Sequence, residues 1–273
     1  MKIPENFIHT FKDRTAIVTG GGSGIGRALC RALVKSGAHV HALDCMPEGL
    51  ELLKHEASGP GTLASHLLDV TDAEAYREVV EAIAESSGRI DFLFNNAGVT
   101  LIGEAHQVPF ERWQWLMEIN LMGVVNGIHW VYPKMVKQRS GTIVNTASVA
   151  AATGYATACA YTTSKSAVFE LTRSLAAEAK MHNVKVLAAC PGYVNSDIFK
   201  QDRLVGLDRD KMINDLPVKM LTPDEAALGY LNGVVKRKKT ILFPFSAWFL
   251  WNLGNWAPSL ILPFQKRFMR VFS

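Results

Sequence analysis

Acidic side chains stop at Glu225, and residues 236–273 carry seven Lys or Arg with no Asp or Glu among them. The formal net charge of +4 therefore belongs to the tail, and residues 1–235 are net −3. Without a basic face on its body, the chain lacks the electrostatic footprint of a nucleic-acid binder. Cysteine is scarce: Cys30, Cys45, Cys159 and Cys190 form no CxxC pair and have no His at metal-ligand spacing. That pattern argues against a disulfide framework or a metal site and predicts reduced thiols in a cytoplasmic protein. The opening MKIPENFIHTFKDR has no apolar run of signal-peptide length, so no secretion is expected. Low-complexity tracts are missing, as is any repeat beyond a strand–helix unit.

What is present is an ordinary globular balance, 48% hydrophobic and 20% charged, enough to bury the core of one large domain. Short apolar runs at 15–19, 39–43, 63–68, 90–94, 141–146, 184–189 and 240–243 read as strands. Several are apolar almost throughout, as parallel strands covered on both faces should be. Helical patterns lie between them at 26–36, 72–87, 109–138, 161–181 and 222–235. Thr71-Asp72-Ala73-Glu74 suits a capped start, and Pro223 suits a first helical turn. This alternation predicts an α/β fold in a single domain over 1–273: a doubly wound parallel sheet of about seven strands with helices on both faces. The irregular stretch 193–221 reads as a functional lid or a disordered loop. Residues 236–273 form a hydrophobic and basic extension.

The first strand leads into Thr19-Gly20-Gly21-Gly22-Ser23-Gly24-Ile25-Gly26 and then a helix. Glycine lets the backbone turn tightly and approach a diphosphate, whose charge meets free N–H groups at the helix N-terminus. The Gly-x3-Gly-x-Gly spacing differs from GxGxxG. By itself such a turn is equally a plain loop, but its place between strand and helix points to a dinucleotide. Asp44 closes the second strand twenty residues beyond Gly24. A carboxylate there can accept hydrogen bonds from an adenosine ribose diol and repel a 2′-phosphate. Cys45-Met46 supplies no compensating cation, so NAD is favoured over NADP. Taken alone, Asp44 also fits a turn or capping role.

Tyr161-Thr162-Thr163-Ser164-Lys165 sets a phenol and an ammonium four residues apart on one helix face. A nearby ammonium favours phenolate, which moves a tyrosine towards general acid–base chemistry. The pair means little without company, which Ser148, Asn95-Asn96-Ala97-Gly98 and Asn120 supply. Asn120 sits inside a helical stretch, against its propensity, where a surface or helix-distorting role is equally open.

In order along residues 13–235, the turn 19–26, Asp44, Asp69-Val70, the loop 95–98, Asn120, Ser148, Tyr161, Lys165 and Pro191-Gly192 resemble the motifs of the short-chain dehydrogenase/reductase family. The resemblance implies a Rossmann-type fold and an NAD(P)-dependent alcohol dehydrogenase or carbonyl reductase. By it, Tyr161 exchanges a proton with the substrate oxygen and Ser148 positions that oxygen. Lys165 holds the nicotinamide ribose as well as tuning the phenol, and Asn120 holds a water relaying protons to the lysine. Gly20, Gly22, Ser23, Gly24, Ile25 and Gly26 would cradle the diphosphate, Asp44 the ribose, and Asp69 and Val70 the adenine. Asn96, Ala97, Gly98, Pro191, Gly192, Val194 and Ser196 would line the rest of the cofactor cleft, with Ser196 standing where the family often has Thr. The resemblance also implies a homodimer or homotetramer through the helices 109–138 and 161–181.

On that geometry the substrate pocket draws on Thr100, Leu101, Ile102, Val149, Ala150, Tyr155 and Tyr193. Ser148 and Tyr161 also face it. These residues offer no paired Arg and no phosphate clamp, which favours a hydrophobic secondary alcohol or ketone resembling a steroid, terpenoid, retinoid or fatty alcohol. Leu101 and Ile102 are equally readable as core. Other readings stay open: an NADP-dependent carbonyl or acyl ketoreductase, epimerisation or dehydration with bound NAD, and a non-catalytic NAD sensor. In the tail, prolines and asparagines interrupt the uncharged run 240–265, so no membrane span is expected. Its tryptophans and phenylalanines either anchor the chain peripherally to a membrane or cover a pocket or neighbouring subunit.

Overall fold

The computed structural model describes residues 1–206, 209–210 and 220–261. Parts of the expected lid, 207–208 and 211–219, and the end of the extension, 262–273, lie outside the described residues. Strands β1 (Thr15–Thr19), β2 (His39–Asp44), β3 (Thr62–Leu67), β4 (Phe92–Asn95), β5 (Gly141–Thr146), β6 (Val184–Pro191) and β7 (Thr240–Phe243) form one sheet. All neighbours are parallel, in the order β3-β2-β1-β4-β5-β6-β7. The order reverses between β1 and β4, which opens a crevice at the carboxyl ends of those strands.

Ten helices frame the sheet among the described residues: α1 (Glu5–Phe11), α2 (Gly24–Lys35), α3 (Pro47–Glu56), α4 (Ala73–Ser87), α5 (Phe110–Met117), α6 (Gly123–Gln138), α7 (Ala150–Thr153), α8 (Cys159–Ala179), α9 (Pro223–Val235) and α10 (Phe245–Trp256). Because alternate strand residues point to opposite faces, β1 serves two cores. Ala16 and Val18 pack with Leu29, Leu33 and Tyr230 of α2 and α9. Ile17 packs with Val80, Val131 and Leu175 of α4, α6 and α8. Asp72 caps α4 by accepting from the backbone of Glu74 and Ala75 at 3.1 and 3.0 Å. Thr222 and Glu225 cap α9 reciprocally, with Pro223 in its first turn.

One local difference from the sequence pattern bears on the site. The helical stretch 109–138 is not continuous: a π turn, Glu118–Met122, separates α5 from α6 and carries Asn120. Ser148 lies two residues past the end of β5, in the loop before α7, because the strand stops at Thr146. In the tail the prolines interrupt the uncharged run as expected, leaving a helix of twelve residues between them. Pro244 is the N-cap of α10 and Pro258 follows its end, so they bracket a helix.

Candidate active site

The loops leaving β1, β2, β4, β5 and β6 enclose a cleft of about 640 Å³. Gly20 opens its floor with φ +66°, and a Cβ there would lie 2.9 Å from Ala97 Cα. Gly24 starts α2 at φ +48°, and a Cβ there would meet Ser196 Cβ at 3.1 Å. A larger residue would clash at Gly20 and crowd Ser196 at Gly24, in each case on a backbone that glycine tolerates. The N-terminus of α2 is thereby bare on its cleft side. Asp44 is buried; its Oδ2 accepts from Gly22 N at 2.8 Å and its Oδ1 from Met46 N at 3.0 Å. Asp69 fixes its own turn through Thr71, with Oδ1 accepting from the Thr71 amide at 2.9 Å and hydroxyl at 2.8 Å.

Thr19 ties the glycine turn to the neighbouring loop. Its Oγ1 accepts from the amides of Asn96 and Ala97, both at 3.0 Å, and its carbonyl accepts from Asn96 Nδ2 at 3.1 Å. The sequence offered Thr19 only as a motif member. The polarity of a residue ending an otherwise apolar strand is the signal that could have marked this clasp.

At the other end of the cleft stand Ser148, Tyr161 and Lys165. Lys165 is 3% exposed and donates to the Thr146 carbonyl at 2.9 Å. Its ammonium lies 5.8 Å from the centre of the Tyr161 ring. Burial pushes Lys165 down to about 8. Burial also pushes Tyr161 up to about 12, opposed by a hydrogen bond with Ser148. The lowering expected from the ammonium does not show in the protein by itself, where desolvation of the phenolate is the largest effect. Asn120 does not border the cleft. Its side chain is fully buried and bonded to Val99 and Ser164, the latter at 3.0 Å, so both amide hydrogens are engaged.

The walls near Tyr161 are aromatic and aliphatic. Tyr193 packs between Tyr155 (6.0 Å between centroids) and Phe199 (6.5 Å), and Trp115, Ile119, Val149 and Ile198 complete the lining. Thr100 and Ile102 line it too, whereas Leu101 turns into a core with Val99, Leu116 and Ala160. Ala150 is likewise buried away from the cleft. Part of the irregular stretch crosses the opening. Arg203 O accepts from Ile102 N at 3.0 Å, and Val205 N donates back to Ile102 O at 2.8 Å. The crossing brings Arg203 close enough to Cys45 to draw that thiol's pKa down, against the larger upward effects of burial and Asp44. No sequence signal marked Arg203, since 158 residues separate it from Cys45.

The model of the family described as short chain dehydrogenase matches residues 14–204. The chain belongs to this family. A 3-oxoacyl acyl-carrier-protein reductase of Thermotoga maritima is 35% identical over 216 residues, covering 78% of this chain and 87% of the relative. Levodione reductase of Leifsonia aquatica is 36% identical over 192 residues, covering 67% and 70%. Among solved structures, NAD-bound xylitol dehydrogenase superposes with a TM-score of 0.74 at 28% identity, over 85% of this chain and 96% of that one. As a family member the chain is an NAD(P)-dependent oxidoreductase acting on alcohol- or ketone-type substrates. Its residues fit the cofactor: the floor at Gly20 and Gly24 leaves no room for side chains, α2 presents its N-terminus, and Asp44 offers buried carboxylate oxygens.

Proposed function

We propose that the chain transfers a hydride between NAD(H) and a hydrophobic secondary alcohol or ketone of steroid, terpenoid, retinoid or fatty-alcohol type. The observation that carries this reading is Tyr161 set between a cleft wall of Tyr155, Tyr193, Phe199 and Trp115 and the buried Lys165. The nicotinamide supplies the hydride acceptor or donor. In reduction, the Tyr161 phenol gives its proton to the substrate oxygen as charge develops there; in oxidation it takes that proton back. Ser148, hydrogen-bonded to Tyr161, holds the oxygen in line. Lys165, fixed by the Thr146 carbonyl, faces the phenol and the ribose side of the cleft. The apolar walls exclude water and select an apolar substrate.

Asp44 supports NAD, since its carboxylate sits where a 2′-phosphate would meet it. A specific observation keeps NADP as the second reading: Arg203 reaches the neighbourhood of Cys45. A dimer or tetramer fits the exposed Phe110, Met122 and Met181 on and beside the helices expected to pair. The protein is proposed to work in the cytoplasm; among the described residues, no helix is long and apolar enough to cross a membrane.

A panel of steroid, terpenoid and fatty ketones and alcohols, followed by NADH absorbance, tests the function. Turnover of at least one apolar substrate is expected, with a loss of about 100-fold or more in Tyr161→Phe. Cofactor binding without net NADH change on every substrate would favour the sensor or an internal redox reaction.

A further inference from the structure

Exposed apolar side chains gather in one place. Of the twelve large hydrophobic side chains standing exposed among the described residues, five fall within 245–261: Phe245, Trp248, Phe249, Trp256 and Leu260. Phe245 and Trp256 are 78% and 86% exposed, far beyond what an incidental surface residue of a monomer requires. Phe245 and Trp248 stack with centroids 5.4 Å apart, forming one ledge. The opposite side of α10 is held by the body. Ala247 and Gly254 are buried, Trp251 meets Phe169 of α8 at 4.7 Å, and a Cβ on Gly254 would come within 2.4 Å of the Ala152 carbonyl of α7. The helix is thus seated firmly and presents its other side outward.

The charges that bracket it along the sequence have one sign. No charged residue occurs from 240 to 265, and this uncharged run is flanked by Lys236, Arg237, Lys238 and Lys239 before it and Lys266, Arg267 and Arg270 after it. Tryptophan and phenylalanine are the side chains that favour the boundary between headgroups and acyl chains, and lysine and arginine add attraction to anionic lipid. A second copy of the chain suits this surface less well. A two-fold contact would set the same uncharged ledge against itself and give the lysines and arginines that bracket it in sequence no role, which anionic headgroups supply. At twelve residues α10 is too short to span a bilayer, so it would lie in the interface plane.

We infer that α10 and the turn to Leu260 form a docking surface for an anionic lipid bilayer. α7 follows Ser148 in the chain, Val149 between them lines the cleft, and α10 packs on α7. The lipid-facing ledge therefore stands one helix away from the segment that carries Ser148, on the side of α10 turned from α7. The docking itself does not depend on which substrate is turned over.

Sedimentation of the full chain with vesicles tests the inference, comparing phosphatidylcholine containing phosphatidylserine with phosphatidylcholine alone. Binding to the anionic vesicles is expected to be stronger by on the order of tenfold or more. Replacing Trp248, Phe249 and Trp256 together by Gln should abolish it, while Leu67→Gln, an exposed apolar position on β3, should not. Brominated lipid should quench tryptophan emission of the unaltered protein, a readout that needs no variant to fold. Absence of vesicle binding, absence of quenching, or full binding by the triple variant would each overturn the proposal. So would a triple variant that falls to a smaller species in vesicle-free solution, since the patch would then be a subunit contact.

Discussion

The side chain of Asn120 holds both backbone groups of Val99: Oδ1 accepts from Val99 N at 2.8 Å and Nδ2 donates to Val99 O at 2.9 Å. A single amide therefore pins the loop leaving β4, the segment that forms the cleft wall at 96–98, to the middle of a long helix. Its second donor contact, to Ser164, ties the same point to the helix bearing Tyr161 and Lys165. Asn120→Asp keeps an acceptor but loses both donors and turns an oxygen against a carbonyl. It should lower unfolding stability by about 2–3 kcal/mol in urea titration. A variant as stable as the parent would show that this amide is not the pin.

Proton traffic at Tyr161 gives a direction-dependent pH profile. With the phenol at about 12, only a small phenolate fraction exists near neutrality. Alcohol oxidation needs the deprotonated form, so kcat/KM for oxidation should climb about tenfold per pH unit on the alkaline side of neutrality. Ketone reduction uses the protonated phenol and should show no such climb. Lys165, at about 8, loses its own charge in the same region, and its loss would flatten the climb from there upward. Lys165→Met should remove that bend. Oxidation rates independent of pH would refute Tyr161 as the base.

On the proposed cofactor site, Asp44 and Arg203 should pull cofactor choice in opposite directions. Asp44→Ala is expected to weaken NAD more than NADP, by about tenfold for the loss of a charged hydrogen-bond acceptor. Arg203→Ala should weaken NADP if the guanidinium meets a 2′-phosphate, and leave NAD binding nearly unchanged. Calorimetric titration of both cofactors decides between them. An unaltered ratio in the first variant would remove Asp44 from the ribose site.

The edge of the sheet carries an acid-sensitive pair. His41 Nδ1 and His66 Nε2 lie 3.0 Å apart, and His39 stands on the same face of β2. Burial, then the neighbouring imidazoles His66 and His39, push His41 down to about 4; burial lowers His66. The folded state therefore binds protons less readily than the unfolded chain. Stability from this pair is complete above about pH 6.5 and is lost as pH falls towards 4. His41→Gln should flatten the fall in melting temperature across that window. An equal fall in both proteins would place the acid sensitivity elsewhere.

The sheet and the cleft floor were legible because they follow from local rules. Runs 15–19, 141–146 and 240–243 coincide with β1, β5 and β7, since each carries a short apolar centre between helical stretches, as parallel strands under helices do. Other contacts were illegible because nothing local encodes them. The Lys165 bond to Thr146 uses a backbone carbonyl, which has no residue identity to read. Arg203 meets the Cys45 region only through a long crossing of the cleft. Helix α10 was hidden for a different reason: its apolar residues run all round it, so periodicity gave no face.

The π turn at Glu118–Met122 acts as a phase shifter between two half-helices. A π turn accommodates one residue more than an α turn, so deleting a residue there would rotate α5 by about 100° relative to α6. At present α5 aims Trp115 into the cleft and Leu116 into a core, while α6 aims Val131 and Met135 at the sheet. A regular helix could satisfy only one of these bearings. The wide turn lets a single rod address the cleft at one end and a hydrophobic core at the other.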